Sequence, residues 1–224
     1  MGFKRVLLPP AAPGPDELTA NMVGIGMLFG GMGSAAPNIE DTVLHASIAG
    51  MDGEDFRVLS VLCTWLDVHS RWINADRLVA IASAQRSKRV RTFWAAFGRW
   101  KASDRRFARL HGLHRGPRVD LLTAGQEFQL RRFGEDPRFA NGPLRVDVRV
   151  LRDRPEDVLT PRELARRHLA YRWRVAIGPT YRADLWAALE ADPHLSVSVL
   201  ARAAYASIGA AWEAKHDHQF LEAG

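Results

Sequence analysis

A basic segment with apolar residues at helical spacing is the feature that most constrains the fold of this chain. Between Arg86 and Arg118 the chain holds eleven of its 31 Lys and Arg residues and a single acid, Asp104. Four large apolar residues recur there three and four positions apart: Val90, Phe93, Trp94 and Phe97. Such spacing places them on one face of an α-helix and leaves the bases on the other faces. The segment therefore predicts a helix with a buried aromatic face and a positive outer surface.

The positive charge of the protein comes from this basic segment (86–118). The rest of the chain holds 20 basic and 24 acidic residues, whereas the whole chain carries a net charge of +6. Charge concentrated in this way attracts polyanions. A solvated helix generally mixes acids with bases at four-residue spacing, and this segment does not. Nucleic acid is the first partner that the sequence predicts, and the alternative is a solvated helical face over a packed aromatic core.

Length and composition predict an ordinary globular protein of one large or two small domains, with 224 residues of which 47% are hydrophobic. Cys63 is the single cysteine and lies in an apolar run, which indicates a buried thiol in a reducing compartment. The apolar run 22–33 is too short to cross a bilayer, and the prolines and acids before it do not suit a signal peptide. We expect a cytoplasmic protein with no membrane partner.

The fold predicted from the pattern is mainly α with a small antiparallel β ribbon. Four residues suit the N-cap position of helices in the first half of the chain: Asn38, Asn74, Ser87 and Ser103. A further helix is expected at about 54–69. Between 119 and 150 apolar residues alternate with polar ones and glycines interrupt them, which predicts the ribbon. Helix resumes at Thr160, which has the spacing of a capping box with Glu163.

Three parts are predicted along the chain. Residues 1–36 are rich in Pro and Gly and are expected to form an N-terminal arm. Residues 37–150 are expected to form a basic, winged-helix-like domain. Residues 155–224 are expected to form a helical C-terminal domain, with helices at 181–191, 197–205 and 207–220.

The order of two helices, here Ala75–Ala84 and Lys88–Lys101, followed by a ribbon resembles winged helix-turn-helix DNA-binding proteins, as in prokaryotic regulators, antitoxins and phage-defence accessory proteins. The resemblance implies that the second helix enters the major groove and that flanking bases hold phosphates. Lys88, Arg91 and Arg99 are expected on one exposed line. Base-edge contact is expected first from Arg86 and Lys88. The predicted nucleic-acid-binding residues are Arg86, Lys88, Arg89, Arg91, Arg99, Lys101, Arg105, Arg106 and Arg109.

A second run, Leu200–Ser207, resembles the first helix and turn of bacterial helix-turn-helix regulators, although it lacks the usual turn glycine. The helix after it carries Glu213 and Asp217 against Lys215, so it suits packing better than phosphate binding. We therefore expect an interaction or dimerisation module in residues 160–224, with a protein partner or a second copy of the chain.

Enzyme signatures are absent from the sequence. The glycines of 24–31 do not match a dinucleotide-binding loop, because Phe29 stands at the third glycine position, and the sequence has no Gly-Lys-Ser/Thr of a phosphate-binding loop. His111 with His114, and His216 with His218, lack further ligands at the spacing of a zinc site. The prediction is a protein that is not an enzyme and has no cofactor or metal, and that binds double-stranded DNA in a regulatory or accessory role. The alternatives are an adaptor that docks a partner protein, an RNA-binding subunit of a ribonucleoprotein, and a metal-dependent nuclease built from separated acids.

Overall fold

A computed structural model describes residues 11–222 of the protein, and within them the chain is mainly helical. The α-helices are α1 (Pro15–Gly24), α2 (Ile39–Met51), α3 (Phe56–His69), α4 (Ala75–Ser83), α5 (Lys88–Trp100), α6 (Gln126–Phe133), α7 (Pro161–Arg167), α8 (Leu169–Ile177), α9 (Tyr181–Ala191), α10 (Val197–Ala203) and α11 (Ile208–Glu222). Three 3₁₀ helices span Ser70–Trp72, Arg105–Leu113 and Pro155–Asp157. Two short strands are β1 (Val119–Asp120) and β2 (Leu144–Arg145). Over this part of the chain, no helix combines the length and the apolar character needed to cross a membrane.

Most of the predicted helix starts are confirmed. The side chains of Asn38, Asn74 and Ser87 accept hydrogen bonds from backbone amides in the first turns of α2, α4 and α5. At the start of α7, Thr160 and Glu163 form the predicted capping box. These residues satisfy amide groups that have no partner inside their own helix.

The helix predicted after Ser103 is a 3₁₀ helix that begins one residue later, with Asp104 as its cap. The side chain of Asp104 accepts a hydrogen bond from the amide of Arg106. Phe107, Leu110 and Leu113 are all buried and lie three positions apart, which matches three residues per turn. The 3/4 spacing of an α-helix is missing from this stretch.

The prediction of an antiparallel ribbon is wrong. The two strands are parallel, with Val119 opposite Leu144, and antiparallel pairing within 119–150 is limited to an isolated bridge between Glu135 and Asp147. The middle of the predicted ribbon is helix α6, with Gly125 before it at a φ of 74° and Gly134 directly after it. Glycine marks helix ends as well as strand turns, so an alternating pattern interrupted by glycines does not distinguish a ribbon from a short helix.

The core of the described chain has two hydrophobic clusters. The larger cluster runs from Met22 to Tyr171 and the smaller from Leu185 to Ala214. Residues 1–10 of the predicted arm lie outside the described residues. The rest of it contributes Met22, Ile25 and Met27 to the larger cluster, so this part of the predicted arm is core.

A buried group of charges joins α2 to α8 and α9. Arg174 on α8 donates to both oxygens of Glu40 on α2, at 2.6 and 2.9 Å. It also donates to both oxygens of Asp184 on α9, at 2.8 and 3.0 Å. Glu40 accepts a further bond from the amide of Asn74. All three ionic side chains are at most 9% exposed, so each charge depends on the others for stabilisation.

Helices α9, α10 and α11 pack on one another and form the smaller cluster. Helix α9 has the predicted bounds, whereas α10 ends before Tyr205. Tyr205 lies in the turn between α10 and α11 with a φ of 52°. The usual glycine of a helix-turn-helix is missing from this turn, and a tyrosine adopts the left-handed backbone conformation there.

Candidate nucleic-acid interface

Helix α5 was predicted to lie in a DNA groove, and its middle is covered by protein on every side. Residues 92–98 are all buried, among them the aromatic residues Phe93, Trp94 and Phe97, as predicted. Small residues on the opposite face let neighbours approach: Gly98 lies against Leu110 and His111. Only the two ends of α5 reach solvent, so a winged-helix domain is not confirmed.

Two of the predicted contact residues hold the fold together through backbone carbonyl groups. Arg89 donates to the carbonyl oxygens of Met51 and Leu121, at 2.8 and 2.9 Å. Arg106 pairs with Asp104 and also donates to the carbonyl oxygens of Ser70 and Ile73. Guanidinium groups that already use several donors in this way have few left for phosphate.

Two further predicted contact residues form ion pairs with acids from outside the basic segment. Lys101 lies 2.5 Å from Asp67 on α3, and Arg109 pairs with Asp76 on α4. Arg89 also has an acidic neighbour from outside the segment, because its Nη2 atom lies 3.7 Å from Oε1 of Glu54. The count of acids along the segment misses these partners, because they are close in space and 33 to 35 positions away in the chain.

The remaining predicted residues form no ion pair with any residue of 11–222: Arg86, Lys88, Arg91, Arg99 and Arg105. The same holds for Arg115, which the site prediction did not include although it belongs to the basic segment. Arg115 follows the 3₁₀ helix in a turn with Gly116 and Pro117, so no helical spacing marked it. Its position beside the start of α5 follows from the chain reversal between α5 and the 3₁₀ helix.

Three of these unpaired cations line one cavity at the start of α5. The cavity has a volume of about 440 Å³ and is lined by Lys88, Arg91, Gly112, Leu113, His114 and Arg115; we call it the α5 cavity. No carboxylate is among its lining residues. The Nε atom of Arg91 is buried and has no hydrogen-bond partner within the described part of the chain. The α5 cavity is therefore lined by three cations and by no carboxylate.

A hydrogen-bonded histidine forms part of the same wall. Nδ1 of His114 lies 2.9 Å from Oγ1 of Thr92, and Nε2 lies 3.0 Å from the carbonyl oxygen of Pro117. Oγ1 of Thr92 also lies 2.7 Å from the carbonyl oxygen of Lys88. These contacts fix the orientation of the imidazole ring.

Arg99 and Arg105 lie at the other end of the pair that α5 forms with the 3₁₀ helix. The predicted line from Lys88 through Arg91 to Arg99 is interrupted at Ala95, which is only 1% exposed. The rise of an α-helix separates Arg91 from Arg99 by roughly 12 Å along α5. The unpaired bases thus form two groups at opposite ends of the helix.

The histidines considered as metal ligands have other neighbours. His111 lies against Gly98, and His114 is hydrogen-bonded as described above. His216 stacks on Trp212, and the ring of His218 lies 5.6 Å from that of Trp186. Among the described residues, no group of three or more His, Cys, Asp or Glu side chains is arranged to hold a metal ion.

An apolar surface lies on the C-terminal helix, in the region where a protein partner was predicted. On α11, Trp212 is 59% exposed and Phe220 is 76% exposed. Asp217 on α11 pairs with Arg182 of α9 at 3.0 Å, and Lys215 on α11 donates to the carbonyl oxygen of Leu195. This helix presents aromatic rings rather than free cations to solvent.

Comparisons of the chain with protein-family models, with curated protein sequences and with solved structures found no match.

Proposed function

We propose that this protein is a nucleic-acid-binding regulatory or accessory protein that holds the phosphate backbone, first of all that of duplex DNA, at the α5 cavity. The observation that carries the proposal is the convergence of Lys88, Arg91 and Arg115 on one cavity with no carboxylate in its wall. Each phosphate that a base neutralises releases counterions, so a few such contacts support binding without base recognition. Of the nine residues predicted to bind nucleic acid, the proposal keeps the five that have no acidic partner: Arg86, Lys88, Arg91, Arg99 and Arg105.

The burial of α5 favours contact with the backbone over insertion into a groove. A recognition helix needs its outer face free over several turns, whereas residues 92–98 of α5 are covered. Arg99 and Arg105 add a second point of contact. Arg91 and Arg99 are about 12 Å apart along the helix, a distance that spans three or four phosphates of one strand along the duplex axis.

The proposal is tested by replacing the cations of the α5 cavity and measuring affinity for DNA. The variant is Lys88→Gln with Arg91→Gln and Arg115→Gln, and the probe is a labelled duplex of about 20 base pairs, two helical turns. Fluorescence anisotropy over a range of salt concentrations gives the affinity and its salt dependence. We expect at least tenfold weaker binding at low salt, and a slope of log K against log salt that is shallower by roughly 0.9 for each phosphate that is no longer neutralised.

A control variant of equal charge change separates a site from general attraction. Arg109, Arg131 and Arg182 are exposed and each is paired with an acid. Replacing these three by Gln also removes three positive charges, and we expect less than a threefold change in affinity. Equal losses in both variants, or no binding of duplex by the wild type, would overturn the proposal. Tighter binding of single-stranded or structured RNA than of duplex DNA would redirect it to the RNA alternative.

We propose a second function for the C-terminal helices, association with a partner protein or a second copy of the chain through α11. The observation that favours it is the exposure of Trp212 and Phe220 on that helix, because exposed aromatic rings are enriched in the cores of protein interfaces. Light scattering across a range of concentrations tests the homodimer. Dimerisation that persists in Trp212→Ala with Phe220→Ala would exclude α11 as its interface.

A further inference from the structure

The hydrogen bonds around His114 suit an imidazole ring that carries two protons. The carbonyl oxygen of Pro117 only accepts, so Nε2 of His114 must carry a hydrogen in either protonation state. Thr92 has one hydroxyl hydrogen but two neighbouring acceptor positions, the carbonyl oxygen of Lys88 and Nδ1 of His114. With a neutral ring, Thr92 donates to only one of them.

Protonation of the ring satisfies all three contacts at once. Nδ1 then donates to Oγ1 of Thr92, and the hydroxyl hydrogen of Thr92 is free to bond to the carbonyl oxygen of Lys88. The three contacts of 2.7, 2.9 and 3.0 Å are simultaneous hydrogen bonds only in this state. The site therefore has a place for the added proton.

The charged side chains that line the α5 cavity beside the ring are all cations. Lys88 and Arg91 face the cavity from α5, and Arg115 faces it from the turn after His114. On the neighbouring elements, His111 lies on the 3₁₀ helix, Arg118 pairs with Glu135, and Asp52 is hydrogen-bonded to Ser87 at the start of α5. None of these acids lines the cavity, so no carboxylate there offsets an imidazolium ion.

We propose that the α5 cavity binds a phosphate group together with a proton, which His114 takes up. A phosphate oxyanion among the three cations reverses the local field and stabilises the imidazolium ion. Because binding free energies are reciprocal, the proton then strengthens phosphate binding by the same factor. This inference rests on the proposed function and adds its regulation: binding is tighter in mildly acidic conditions, where imidazole groups ordinarily gain their second proton.

The proton linkage is measured best with a phosphodiester ligand, which has no titrating group of its own near neutral pH. The probe is a duplex without terminal phosphates, and affinity is measured between about pH 6 and pH 8. We expect the wild type to bind more weakly as pH rises, by up to about tenfold for each pH unit. Calorimetry in buffers of different ionisation enthalpy should show net proton uptake on binding.

Two histidine variants decide whether His114 is the group responsible. His114→Gln keeps a donor for Pro117 but takes up no proton, so its affinity should match that of the wild type at high pH and stay flat across the range. His111→Gln should keep the full pH dependence, since its ring lies against Gly98 and does not line the cavity. A flat wild-type profile, or a pH dependence that survives in His114→Gln, would overturn the inference.

Two additional ligands show whether the cavity prefers a terminal phosphate, and whether proton uptake occurs even if the proposed DNA binding fails. A duplex that carries 5′-phosphates and binds more tightly than one without them would assign the cavity to strand ends. If no duplex binds, the proposed function fails, and sulfate, which does not titrate in this range, still tests the linkage. Sulfate should then shift the His114 ring signals in the NMR spectrum more strongly at pH 6 than at pH 8, and an equal shift would refute it.

Discussion

The hydroxyl group of Tyr205 donates a hydrogen bond of 2.8 Å to Oδ2 of Asp41, which lies 164 residues earlier in the chain. The guanidinium group of Arg77 lies over the tyrosine ring and also pairs with Asp41. Tyr205 has a left-handed backbone, with a φ of 52°, at a cost of roughly 1–2 kcal/mol for a residue other than glycine. These contacts hold the turn between α10 and α11 on α2 and α4.

Removal of this hydroxyl group should destabilise the protein. Tyr205→Phe keeps the ring over Arg77 but leaves one oxygen of Asp41 without its donor, so we expect the free energy of unfolding to fall by about 2 kcal/mol. Denaturant titration measures the change. A double-mutant cycle with Asp41→Ala isolates the bond, and a coupling energy of zero would show that the hydroxyl group stabilises the turn in some other way.

Arg174→Met should be far more destabilising than Arg172→Met. Arg174 neutralises two buried carboxylates, and its loss would leave Glu40 and Asp184 facing each other without a cation, at a cost of about 3–5 kcal/mol. Arg172 lies on the same helix and pairs with Glu190 at the surface, where the loss should stay below about 1 kcal/mol. Similar losses of unfolding free energy in the two variants would contradict the assignment of a structural role to the buried group.

Acid should destabilise the protein through His69. Burial lowers the pKa of His69 from its ordinary 6.5 to about 4. A lowered pKa in the folded state means that the unfolded chain binds the proton more readily. The stabilising contribution of the neutral ring is therefore complete above pH 6.5 and is lost as pH falls towards 4, by about 3 kcal/mol in all. His69→Gln should show lower stability at pH 7 and a smaller loss between pH 7 and pH 4.5. An equal loss in both proteins would assign the acid sensitivity to other groups.

Gly98→Ala should destabilise the protein, whereas Gly209→Ala should not. An added Cβ at position 98 would lie 2.9 Å from the ring of His111 and 3.0 Å from Cβ of Leu110, so the 3₁₀ helix would have to move, at a cost of about 1–3 kcal/mol. Gly209 lies in α11 with no atom within 4 Å of such a Cβ, and its replacement should stabilise by up to about 1 kcal/mol. Thermal unfolding of the two variants gives both signs, and a neutral Gly98→Ala would contradict the close packing of the two helices.

The elements marked by caps were predictable, and those marked only by alternation were not. Asn38, Asn74, Ser87 and Thr160 each act within their own first turn, so the sequence nearby contains the whole signal. The region 119–150 has no such local marker. Its short parallel pair joins Val119 to Leu144, and a contact over that distance depends on the packing of the rest of the domain.

In the basic segment, too, the local sequence predicts burial, but it does not predict which bases are paired with acids. The burial of Val90, Phe93, Trp94, Phe97 and Phe107 follows from helical spacing and is confirmed. Which bases are paired depends on Glu54, Asp67 and Asp76, which belong to other helices or turns. Arg115 and His114 join Lys88 only because the 3₁₀ helix runs back along α5.

The covered middle of α5 has a consequence for how this protein can change over evolution. Thr92, Ala95 and Ala96 are buried and Gly98 has no space for a Cβ atom, so substitutions at these positions are constrained by packing. The exposed bases Lys88 and Arg99, at the two ends of the helix, are not enclosed in this way. Under the proposed function, ligand preference and fold are therefore encoded at separate positions of one helix, so the exposed charges can diversify while the centre of the helix stays fixed.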